Sequence, residues 1–190
     1  MKHIPFLLLF VLLIGCTTSP TGYQLPDVTF QHLKPIAVDV SNISYTNKAG
    51  NVPRPDDFYL NIPYLAETYI QRRFKASELQ NQNTLAFELE TVDVSTVQES
   101  SDNDFARFLD VAKHDKYRVL MTLNMVHDDV SRGFTKGQRI NVERVMNISE
   151  HVSLDERERR QMEGMESLFA QMDAAIIETF RDEFGIVQLP

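Results

Sequence analysis

In the stretch DKYRVLMTLNMVHDD, Tyr117, Val119, Met121, Leu123 and Met125 all fall on one parity. Successive side chains of a strand point to opposite faces, so this run gives one sheet face that must be covered and one that meets water. A register slip of one residue would turn the whole apolar set outward, which leaves the strand little freedom in how it pairs. The turn-forming SRGFTKG follows, and RINVERVMNISEHV then returns with Ile140, Val142, Met146, Ile148 and Val152 on one face. A long hairpin turning near residues 131 to 137 is the expectation.

Two further strands read less cleanly. NTLAFELETVDVSTVQ places Leu85, Phe87 and Leu89 on one parity and Val92 and Val94 on the other, the mark of a bulge. KPIAVDVSNISYT shifts parity between Val40 and Ile43, which predicts one strand with a bulge or bend near Ser41-Asn42. Helical spacing of Ile62, Leu65, Ala66, Tyr69, Ile70 and Phe74 predicts a helix from about Pro63 to Ala76, with the proline in its first turn. A second helix begins at Ser153, where Ser-Leu-Asp-Glu has the form of a capping box with Glu156 reaching back. Its apolar stripe runs Met162, Met165, Phe169, Met172, Ile176, Phe180, with Gly185 as the stop. The first turns, DERERRQ, read as too polar for burial and should project beyond the sheet. The fold class is therefore α+β: a four-stranded, mostly antiparallel sheet with two helices on one face, in the order β-α-β-β-β-α.

The N-terminus addresses location. Lys2 and His3 precede an uncharged run from Ile4 to Gly15, and small polar residues and prolines follow. As a helix that run spans about 18 Å, short of the ~30 Å core of a bilayer, so residues 1–15 read as a signal peptide rather than a permanent span. Leu13-Ile14-Gly15-Cys16 resembles the lipobox of bacterial lipoproteins. The resemblance implies that Cys16 receives a thioether diacylglycerol, becomes the new N-terminus and carries a further acyl chain such as palmitate on its amine. Two or three chains, at ~0.8 kcal/mol per buried methylene, anchor stably where one does not. Thr17 stands where inner-membrane retention usually has Asp, which favours the outer membrane with the domain facing the periplasm. Cys16 is the only cysteine, so no disulfide is available and the fold must stand on its core. Residues 16–34, with two prolines and a glycine, read as the lipidated terminus and a flexible tether, and 35–190 as a single domain.

A formal net charge of −8 opposes a nucleic-acid partner, whose binding needs Lys and Arg against phosphate. No phosphate-binding loop, dinucleotide turn, nucleophile elbow or zinc-protease helix occurs, so no catalytic, cofactor or metal residue is assigned and an enzyme is not expected. His127 and His151 fall at opposite ends of the hairpin, while His114 would meet His151 at its open end with Asp115 and Glu150. Asp128 and Asp129 read as loop solvation. In DNDFARFLDVAKHD, Phe105, Phe108 and Leu109 have helical spacing. They form either a satellite core or an exposed patch that meets lipid or a protein partner. Phe134, between Arg132 and Lys136 at the hairpin tip, is a second contact candidate.

PIAVDVSNI, YLAETYIQRRF, LAFELETVDVSTVQES, KYRVLMTLNM and SLDERERRQMEGMESLFAQMDAAI together resemble a family of uncharacterised Gram-negative lipoproteins. More distantly, the anchor and element order resemble auxiliary lipoproteins of envelope lipid transport, both those of ABC systems and the lipoprotein that plugs the lipopolysaccharide translocon. That likeness implies a non-catalytic module held to the membrane through acylated Cys16 and docking on an envelope protein complex or a lipid. A regulator of peptidoglycan synthases is the alternative, and an envelope hydrolase using paired carboxylates the third.

Overall fold

A computed structural model of the chain describes residues 30–77, 82–97, 114–149 and 151–187. The elements are β1 (Ile36–Val38), β2 (Asn42–Asn47), α1 (Ile62–Arg73), β3 (Phe74–Ala76), β4 (Thr84–Thr96), β5 (His114–Asp129), β6 (Phe134–Ser149) and α2 (Leu154–Thr179), which ends in a π-helical turn, Phe180–Phe184. The main sheet has the order β2-β4-β5-β6, antiparallel except for the parallel pair β2 and β4. The α+β class and the four-stranded, mostly antiparallel sheet expected from the sequence are therefore present.

β5 is the strand around which the others are set. Every second residue from Tyr117 to Asp129 is buried, and its pairing with β6 runs from His114 opposite Ser149 to Asp129 opposite Phe134 without interruption. On its other side the β4 register shifts between Leu89 and Thr91. The extra residue, Glu90, is how β4 changes parity while Leu85, Phe87, Leu89 and Val94 all stay buried. The turn is tighter than the sequence suggests. It occupies residues 130–133, with Gly133 at φ +68°, and Phe134 to Gly137 already belong to β6.

The expected first strand is in fact two. β1 pairs in parallel with β3 as a separate small sheet, and β2 joins β4. At the handover, Val40 N donates to Val38 O at 2.8 Å, while Ser41 N and Oγ both donate to Asn83 O at 2.8 Å. A parity shift looks the same whether a strand bulges or changes partner, and only the partners decide. β3 occupies the residues expected to end the first helix. Phe74 is extended (φ −113°, ψ 133°) and buried, at a position where a helical stripe also calls for an apolar residue, so spacing alone cannot separate the two. The tether boundary also moves: Phe30 is 3 % exposed, with ring centroids 5.4 Å from Tyr69 and 4.9 Å from Phe169, so packed chain begins before Pro35.

Both helices start with side-chain caps. Asn61 accepts from Tyr64 N ahead of α1, with Pro63 in the first turn, and Ser153 accepts from Glu156 N ahead of α2. Only half of the capping box forms, because the Glu156 carboxylate accepts from Arg159 and Arg160 instead. Gly185, at φ +66°, closes the π-helical turn as expected of a stop residue.

The helices share one core with the inner sheet face. An aromatic run crosses it: Phe74 stacks on Phe87 at 5.5 Å and meets Phe180 edge-on at 5.2 Å. α2 lies close on β6 at Gly164, where an added Cβ would fall 2.1 Å from Met146 Sδ. Gly164→Leu should therefore lower stability by about 2–3 kcal/mol through overpacking, despite a helix-propensity gain of up to ~1 kcal/mol. A lowered urea midpoint, partly recovered by adding Met146→Ala, checks this.

Candidate functional site

Three groups of polar side chains are built into the packing. The first sits at the open end of the hairpin. Arg157 Nη1 donates to Asp57 Oδ2 at 2.9 Å and to the Tyr117 hydroxyl at 2.8 Å, and that hydroxyl donates to the same Asp57 oxygen. Gln161, 0 % exposed, donates from Nε2 to Asp57 O at 2.7 Å and accepts from Tyr59 N at 3.1 Å. Loop, strand and helix are thus tied together at one point. This corrects, at Arg157 and Gln161, the expectation that DERERRQ is too polar for burial, while Asp155, Arg159 and Arg160 are exposed. Arg157 and Gln161 occupy the first turns of the same inward stripe that continues through Met165, Leu168 and Met172. They are buried because the proline-rich loop brings a carboxylate and backbone groups to meet them.

The second group joins the helices. Arg73 holds Asp173 through both oxygens, Nε to Oδ1 at 2.7 Å and Nη2 to Oδ2 at 3.0 Å, and Tyr69 donates its hydroxyl to Oδ1. Burial, followed by the hydrogen bond to Asp173, pushes the Tyr69 phenol far above its ordinary range, so it remains a neutral donor. Arg73 also donates to Lys34 O, which fastens the start of the packed chain.

The third group lies at the hairpin tip. His127 faces the core, opposite Leu85 of β4 and Lys136 of β6. Its ring lies 5.4 Å from Phe184 and 6.4 Å from Phe134. It is 1 % exposed, and neither ring nitrogen has a hydrogen-bond partner among the described residues. Burial pushes its pKa below the ordinary histidine value, against the pull of Asp129 and Asp128 and with the push of Lys136 and Arg132. Asp129 is not simple loop solvation. It is buried and closes the turn by accepting from Ser131 Oγ at 2.6 Å and Arg132 N at 3.0 Å, bonds that hold its carboxyl below the usual range.

Of the contact candidates, Phe134 is half-buried, packed on His127, with Lys136 Nζ 5.7 Å from its ring centroid. Lys136 also donates to Glu183 O at 2.6 Å, joining tip and terminal turn. Cys16, Phe105, Phe108 and Leu109 lie outside the described residues. The register leaves His114 opposite Ser149, two positions from His151, but the side chains of His114, Asp115 and Glu150 lie outside the described residues as well. Among the described residues no three His, Cys, Asp or Glu side chains gather to hold a metal ion, and no helix is long and apolar enough to cross a membrane. Neither clamp is legible in the sequence. Their only local signal was polar residues on an apolar stripe: Arg157 and Gln161 in α2, and Arg73 beside Phe74.

No protein-family model matches the chain, and no curated protein matches it. Solved structures similar to it include a minor lipoprotein from Acinetobacter baumannii, at 8 % identity and a TM-score of 0.40 over 79 % of this chain and 97 % of that one. Rare lipoprotein B from Shewanella oneidensis is similar at 10 % identity and 0.32, over 72 % and 97 %. A structure described as a neuraminyllactose-binding hemagglutinin homolog from Helicobacter pylori gives 11 % and 0.36, over 83 % and 91 %. Two of these are lipoproteins, but scores of 0.40 and below carry no argument for fold or role.

Two outcomes follow from the buried groups. Asp173→Ala strands a guanidinium that is only 12 % exposed, so it should cost about 3 kcal/mol in chemical denaturation, whereas Arg73→Met with Asp173→Leu should recover most of that loss. His127 takes a proton more readily unfolded than folded. Its contribution is therefore complete above about pH 6.5 and is lost as pH falls below that value toward its depressed folded pKa. His127→Leu should flatten the fall in thermal midpoint between about pH 6.5 and 5.5, measured by calorimetry.

Proposed function

We propose that the chain is a lipid-anchored accessory of the bacterial envelope, a non-catalytic binding module in outer-membrane biogenesis or lipid transport. Cys16 at the end of the uncharged run Ile4 to Gly15 carries this reading. An acylated cysteine fixes the domain at a membrane surface, and the proline-containing segment after it gives the domain reach. What supports a non-catalytic role is how the buried charges are spent. Buried Arg157 is paired with Asp57, which is itself 42 % exposed, Asp173 and Arg73 neutralise each other inside the packing, and Tyr69 is held as a neutral donor. A general acid or base needs a carboxylate or imidazole open to substrate, and Asp173 is instead bound by Arg73 and Tyr69.

The test is made on the full chain in a Gram-negative host. The wild type should sediment with outer membranes and show, by mass spectrometry, two or three acyl chains on Cys16 as the new N-terminus. Cys16→Ser should leave the membrane fraction or accumulate unprocessed. An unmodified thiol on a soluble wild-type product contradicts the anchor. Proximity labelling from the anchored domain then identifies the machine: lipid-transport or barrel components agree with the proposal, and cell-wall synthases alone contradict it.

A further inference from the structure

We propose that β6 is a dimerisation edge: two copies of the chain pair antiparallel along it, centred on Asn141, to make one eight-stranded sheet. β6 ends the strand order, and among the described residues no strand pairs with its outer side. It is sixteen residues long and its register to β5 has no irregularity. Folded proteins blunt such an edge by shortening it, bulging it, placing proline on it or setting charges along it, and of these β6 has only charges, at Lys136, Arg139, Glu143 and Arg144, which a partner strand must accommodate. FTKGQRINVERVMNIS has no proline, and its uniform pairing leaves a straight row of backbone donors and acceptors.

The side chains fit a second copy of the same strand. In an antiparallel self-pair a residue and its opposite number share a face, so the two-fold axis passes through one residue position. With the axis at Asn141, Arg139 lies opposite Glu143 of the second copy, twice by symmetry. Ile140 meets Val142 of the second copy on the inner face. On the outer face Val145, 44 % exposed, falls opposite Gly137 of the second copy, which leaves room for it. Moving the axis to position 140 sets Lys136 against Arg144. Moving it to 142 sets Ile140 against Arg144 and takes Glu143 away from Arg139.

Within one chain Arg139 already pairs with Glu90 at 2.8 Å, and Arg118 with Glu143 at 2.8 Å. Across the axis these become rows of alternating sign: Glu90, Arg139, then Glu143 and Arg118 of the second copy. Opposite-sign cross-strand pairs favour that register and like-sign pairs oppose its neighbours. Because the axis is perpendicular to the sheet, both helical layers lie on the same side and the outer faces form one continuous surface.

The experiment uses the full chain with Asn141→Cys, oxidised in membranes with copper phenanthroline, so the outcome does not depend on the compartment. Opposite residues of an antiparallel pair have Cα atoms about 4.5–5.5 Å apart, within the range a disulfide spans. Asn141→Cys should give at least about tenfold more disulfide-linked dimer than Arg132→Cys, which sits at the hairpin tip far from the axis and carries the same Cys16 background. Arg139→Glu in the Asn141→Cys chain should cut the yield severalfold, and adding Glu143→Arg should restore it. Equal cross-linking at positions 141 and 132 overturns the proposal. So does a wild-type full chain that sediments in detergent as one chain per particle, a measurement that needs no variant to fold.

Discussion

The parity of β5 is the constraint on which the rest of the molecule depends. Its inner residues are covered by α2 and α1 from above and flanked by the inner faces of β4 and β6, so any slip would expose a row from Tyr117 to Met125 at once. The neighbours adjust to it. β4 takes up its own change of parity with one extra residue at Glu90, and β6 follows without interruption to the tip. At about 25 cal/mol per Å² of apolar surface, the burial of this row and its cover outweighs any single polar contact in the structure.

Polar groups then fix how the cover is seated. Hydrophobic burial has no direction, and a helix laid on a sheet by apolar contact alone can slide or rotate at small cost. Arg157 with Asp57 and Tyr117, and Arg73 with Asp173 and Tyr69, act at specific points near the two ends of α2. A displaced helix would leave a charge without its partner in a nearly dry place, which is far more costly than a displaced methyl group. The same logic makes His127 an exception. Among the described residues it is buried at the tip with no hydrogen-bond partner, and burial pushes its pKa down, which makes that end of the sheet sensitive to acid.

The legible parts of the fold were those governed by a local period. The alternation of Tyr117 to Met125, the change of parity at Leu89, the stripe from Met162 to Phe180, the start at Ser153 and the stop at Gly185 each depend on neighbours within a few residues. Partner identity does not. Nothing local in KPIAVDVSNISYT says that Val38 pairs with Ala76 while Asn42 pairs with Thr84, or that Phe74 leaves its helix to do so. The clamps failed to show for the same reason. Arg157 looks like a solvated helix residue until Asp57, a hundred positions earlier, is brought against it. Of the candidate site, Cys16 rests on a short contiguous motif and lies outside the described residues, whereas Phe134 needed the fold to reveal that its ring packs on His127.

The molecule thus presents an α+β body cross-tied by two buried polar clamps, which we propose is held at a membrane through Cys16. Native-state amide hydrogen exchange tests the central claim, that β5 and the helix covering it form the last unit to open. The account predicts the slowest exchange at inner-sheet residues 119–125 and at residues 165–176 of α2, with a common opening free energy equal to that of global unfolding. Exchange of the β5 amides well before those of β2 or the small β1–β3 sheet would contradict it.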